Sequence, residues 1–122
     1  IRNVKIENLN INSEELILSL KLKPLDESAV TGFKHIRRTP LGPGVTQVAL
    51  SIEPETTRLI VGSVTPSLNA FEFSSIPTDE ELASVLWHGL VNPISDERAS
   101  ALYRVAMAAE LGLRLMEELS DG

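Results

Sequence analysis

Two histidines, a pair of arginines, a Gly-Pro-Gly turn and a few adjacent carboxylates are the side chains from which this sequence could draw chemistry. His35 sits among basic residues and His88 near a helix end; neither has an Asp or Glu at the spacing of a recognised metal motif, so both read as ordinary surface or half-buried imidazoles. Serines are present, but no Gly-x-Ser-x-Gly elbow accompanies them. Glu80-Glu81 and Glu117-Glu118 are neighbours on helices, where successive side chains diverge by about 100°, so they are solvated charges and not an acid–base dyad. Arg37-Arg38 either alternates across a strand or meets an anionic ligand or partner carboxylate. Gly42-Pro43-Gly44 contains Gly-x-Gly, yet a strand follows it; a phosphate cradle needs the amides of a helix start behind its glycines, so a bent connection is the better reading. Catalytic residues and metal ligands are therefore expected to be absent.

The elements that position these residues follow from patterning. Val4 and Ile6 alternate with Lys5 and Glu7 as a short entry strand, and the Asn-rich stretch to residue 13 turns. Leu16, Leu18, Leu20 and Leu22 fall on one face of Glu15 to Lys23, against Ser19, Lys21 and Lys23 on the other, which predicts a half-buried strand ended by Pro24. Phe33 to Arg38, Val45 to Ile52 and Arg58 to Thr65 read as further strands, with a turn at Glu53 to Thr56 and a short edge at Asn69 to Ser74. Leu59-Ile60-Val61 is apolar on both sides and so belongs inside the sheet. Thr78 and Glu81 form a capping box ahead of a helix striped by Leu82, Val85, Leu86 and Leu90. A longer helix begins near Asp96, with Asp96 and Glu97 in its first turn facing the positive end of the dipole. Strands followed by helices predict an α+β fold: an antiparallel sheet of three to five strands, then two or three helices packed on one face. The span 1–122 reads as one domain, with entry at 1–13, meander at 15–75 and helices at 78–121.

Composition narrows the partners. At 122 residues with a net charge of −6, the chain attracts neither a nucleic-acid backbone nor an anionic membrane. No apolar run approaches the ~20 residues of a membrane span. Without cysteine there is no disulfide and no thiolate site, which fits a cytoplasmic protein. The start at Ile1, without methionine, points to a processed or excised piece of something longer.

The order Pro93, Asp96, Arg98, Ser100, Tyr103, Arg104 within twelve residues resembles the signature that ends the flavin-binding (medium) subunit of molybdenum hydroxylases, the relatives of carbon monoxide and xanthine dehydrogenases. Phe33-Lys34-His35-Ile36-Arg37-Arg38 is similar to the aromatic–Lys–x–x–Arg–Arg strand of that subunit's C-terminal domain, and Leu59 to Pro66 to its central strand. The chain departs from the family at Pro40 to Gly44 and after Pro66. The resemblance implies a C-terminal domain packed beside a flavin domain, with FAD held chiefly by that other domain, and molybdenum and iron–sulfur subunits as partners. It places Lys34 near the flavin. No FAD-binding loop is recognisable in the chain itself, which is expected to be non-catalytic alone.

The residues Asp96, Arg98, Tyr103 and Arg104 also have a plain structural reading, a first-turn carboxylate with donors that fix the helix to the loop before it. The long helix carries two apolar stripes. Leu102, Val105, Ala109, Leu113 and Met116 are expected to face the sheet. Tyr103, Met107, Leu111 and Leu115 form the second, in which Met107, Leu111 and Leu115 are expected to include residues exposed in the domain and covered by a partner. The functional expectation is thus a scaffold and interface domain of the flavin subunit; the alternative is a free-standing interaction module without flavin.

Overall fold

In β-structure, residues two apart share a face, and here the apolar ones collect on one side of four strands. The computed structural model describes residues 1–121. Strands β1 (Val30–Arg37), β2 (Gly44–Glu53), β3 (Thr56–Gly62) and β4 (Asn69–Phe73) form an antiparallel meander in the order β1-β2-β3-β4. Two helices follow, α1 (Asp79–Gly89) and α2 (Ala101–Ser120), so the fold is α+β with the sheet first. Val48 pairs across with Val61 and Leu50 with Leu59, and all four are buried under the helices. Phe71 lies opposite Leu59 on the same face, against Gly89 of α1. Among the described residues no helix is long and apolar enough to cross a membrane. The expected single span of 1–122 ends on Gly122, which lies outside the described residues.

Close approach of α2 depends on Gly112. A Cβ there would lie 3.2 Å from Leu86 Cδ1 and 3.8 Å from Leu59 Cδ2, so the helix meets α1 and β3 together. The Thr78 capping box forms as expected: Glu81 N donates to the Thr78 hydroxyl, and Thr78 N donates to the Glu81 carboxylate.

Four expectations need correction. The half-buried strand at Glu15 to Lys23 does not form; the segment has no ladder partner among the described residues, and Leu16, Leu18, Leu20 and Leu22 are 69–89% exposed. The meander accordingly starts at Val30. The entry strand at Val4 and Ile6 is replaced by a 3₁₀ turn at Ile6–Asn8, whose Glu7 reaches Arg58 on the sheet face turned away from the helices. The long helix starts five residues later than expected, at Ala101, because the Ser100 hydroxyl accepts from Tyr103 N and caps it there. Finally, the two stripes of α2 are one broad buried arc. Leu111 and Leu115 are 7% and 2% exposed and sit in the core, whereas Leu102, expected against the sheet, is 69% exposed. The sheet and α1 both pack on α2, which widens the arc beyond a single stripe.

Candidate functional site

The Pro93–Arg104 stretch folds into a loop pinned at several points. Ile94 N donates to Val64 O (2.8 Å), tying the loop to the chain leaving β3. Asp96 closes a local turn: its Oδ1 accepts from the amides of Arg98 (3.0 Å) and Ala99 (3.2 Å), while its own amide donates to Ala99 O. A first-turn carboxylate was the expectation for Asp96. It instead stabilises the turn ahead of the helix, leaving the cap to Ser100.

Arg104 is the centre of the arrangement and is 1% exposed. Its Nη2 donates to Asp96 Oδ1 at 2.8 Å, and its Nη1 donates to Val45 O (2.7 Å) and Ser63 O (2.8 Å). One guanidinium therefore joins the start of β2, the exit of β3, the 94–99 loop and α2. The planar fork of arginine suits this, since it presents several donors in fixed directions. Thr46 Oγ1 returns a bond to Arg104 O at 3.3 Å. Arg98 Nη2 takes the second oxygen of Asp96 at 3.2 Å. Burial pushes the Asp96 carboxyl up, but bonds from the Arg104 guanidinium, the Arg98 and Ala99 amides and the Arg98 guanidinium outweigh it and lower the pKa from 3.8 to about 2.

Beside this clamp lies an open cavity of about 750 Å³ between the 41–44 turn, the Ser63–Leu68 segment and the loop bearing Arg98. Arg37, Arg98 and Arg104 all contribute to its wall. Arg37 Nη1 donates to Pro40 O (3.3 Å), while Arg38 turns to Glu97 O (3.0 Å) and helps hold the loop. Ser63 has a left-handed φ of 66°, unusual for a residue with a Cβ. It is held there from two sides, its carbonyl by Arg104 and its hydroxyl by Gln47 Nε2 at 3.1 Å.

The remaining predicted residues lie elsewhere. Lys34 faces α2 and pairs with Glu118 at 2.9 Å, away from the cavity wall. Tyr103 is exposed, and its backbone amide serves the Ser100 cap. Met107 is half-buried, and Leu111 and Leu115 are core residues, so these three do not form an exposed patch. His35 lies against Phe33, with ring centroids 5.4 Å apart, and His88 Nδ1 bonds Ser84 O at 2.8 Å. Among the described residues no cluster of His, Asp and Glu could hold a metal ion. Gln47 and Ser63 escaped the sequence reading. The Gly62-Ser63 pair closing an apolar strand signals a tight exit, but nothing local marks Ser63 as an acceptor for an arginine 41 residues on.

Comparison of the chain with family models, curated proteins and solved structures returned no match.

Proposed function

We propose that this domain is a non-catalytic scaffold and interface unit of the FAD subunit of a molybdenum-hydroxylase-type oxidoreductase. The observation that carries the interface role is the arm: an alternating apolar segment, Leu16 to Leu22, presented in full to solvent next to a folded core. Burying such a row against a partner recovers roughly 25 cal/mol for each Å² of apolar surface removed from water, so an unpartnered arm is a surface awaiting a neighbour. The flavin assignment rests on the ordered match of Pro93, Asp96, Arg98, Ser100, Tyr103 and Arg104 to the family signature. Arg104 and Asp96 are spent on holding the domain together, which suits a supporting role rather than chemistry. Lys34, the residue the resemblance puts near flavin, stays a candidate whose Glu118 pair a neighbouring domain would have to exchange or tolerate.

The test is to express the chain tagged at its C-terminal end, with whatever its own reading frame supplies upstream, and record visible absorption. Flavin retained through gel filtration by that protein, and none by the chain alone, supports the assignment. A colourless product from the complete frame, together with failure to associate with a coexpressed flavin subunit, leaves the free-standing interaction module as the reading.

A further inference from the structure

The cavity beside the clamp has the chemistry of an anion site, and this stands whether or not the flavin reading holds. On a chain of net charge −6, three arginines are among the residues that line it. Among the described residues the carboxylate paired with any of them is Asp96, shared between Arg98 and Arg104; Arg37 has a single bond, to the neutral Pro40 carbonyl. A guanidinium carries five N–H donors, so most of Arg37's are free to bind. Arg104 is itself anchored in the clamp, so the charge left for a ligand is that of Arg37 and Arg98. Arg104 Nε is buried and has no hydrogen-bond partner among the described residues, although the other two nitrogens of that side chain both donate, Nη1 twice and Nη2 once. Buried donors are rarely left without partners in folded proteins.

The remaining lining fits the same ligand. Gln47, Ser63 and Thr65 add neutral polar groups, and the Gly42-Pro43-Gly44 turn forms the rim. A Cβ on Gly44 would come within 3.0 Å of Gln47 Cγ, so the glycine leaves the Gln47 side chain its place at the wall. About 750 Å³ is far more than a bare phosphate or acetate fills, and Leu41, Leu68 and Ile94 line part of the space. We propose that this cavity binds a small organic molecule bearing a carboxylate or phosphate group, the oxyanion held by Arg37 and Arg98 and the organic body lying against the Leu41–Leu68 side. Arginine is suited to both oxyanions because its planar fork matches two of their oxygens at once.

Phenyl phosphate and benzoate serve as probes, sharing one organic body but differing in oxyanion; benzamide is the neutral control. Titration into the full chain, followed by backbone amide NMR, should give saturable shifts confined to residues of the 41–44 turn, Ser63–Leu68 and the 94–98 loop, with no response to benzamide. The tighter of the two probes identifies phosphate or carboxylate as the preferred group. Arg37→Gln, which leaves the Arg104 clamp intact, should weaken binding at least tenfold with an unchanged amide spectrum elsewhere; Arg114→Gln on the far surface should not. Absence of saturable binding by either probe at millimolar concentration overturns the proposal. So do shifts mapping outside the cavity, equal binding of benzamide, or equal affinity in Arg37→Gln and Arg114→Gln.

Discussion

Replacing Arg104 by methionine tests the clamp directly. Methionine is unbranched and can follow the aliphatic course of the arginine, so steric damage is small. What disappears is the guanidinium, and with it the donors to Val45 O, Ser63 O and Asp96 Oδ1. A buried acceptor stripped of its donor costs about 1–3 kcal/mol. Removing one member of a buried ion pair costs about 3–5 kcal/mol, because the other charge stays behind. Arg104 is 1% exposed, so solvent does little to replace the lost donors. A loss of about 4 kcal/mol is expected, a fall in melting temperature of about 10–20 °C for a domain of this size. Thermal unfolding followed by circular dichroism, with urea titration to check that the slope is unaltered, measures it. Arg104→Lys should fall between the two proteins, keeping the charge without the fork. If Arg104→Met lost less than about 1 kcal/mol, within the range of ordinary surface substitutions, the clamp would not be what fixes loop, sheet and helix together.

Other outcomes follow from the same structure. The Asp96 pKa is lowered from 3.8 to about 2, so its contribution to stability is fully present above pH 4 and is lost as pH falls through about 2; Asp96→Asn should flatten the acid limb of a melting-temperature profile in that window. Leu111→Glu places an unpaired charge in the core, where Leu111 is 7% exposed, and should destabilise by several kcal/mol in urea unfolding. Leu18→Asp with Leu20→Asp, both on the exposed arm, should leave the melting temperature within about 2 °C of the parent, in contrast to Leu59→Asp in β3, which should not yield a folded protein by circular dichroism.

Much of the architecture was legible because it is written locally. The Thr78–Glu81 box, the alternation of Val48, Leu50 and Ile52, and the doubly apolar Leu59-Ile60-Val61 each reflect a contact within a few residues or a simple period. The arm shows the limit of that reasoning: period two identifies a segment competent to be a strand, but does not supply the edge it pairs with. Asp96 misled for a chemical reason, since a carboxylate before a helix serves equally well in the first turn or in a turn of its own. The Ser100 hydroxyl decided the matter. Arg104 was assigned a tie to the preceding loop, and its bond to Asp96 is that tie. Its bonds to Val45 and Ser63, 59 and 41 residues away, belong to tertiary structure and leave no local trace.

The arm also sets how the protein behaves when concentrated. Leu16 to Leu22 is a seven-residue, strand-competent window of the kind that stacks between copies when left open. Its flanks limit this. Parallel stacking in register would bring each Lys21 and Lys23 to about 4.8 Å from its own copy, where like charges repel. An antiparallel stack centred on Ser19 sets Glu15 against Lys23 instead, and Pro24 then ends the ladder because it has no amide hydrogen to give. Any pairing of this segment between copies thus favours the antiparallel register over the parallel one. Salt, by screening these charges, weakens that preference.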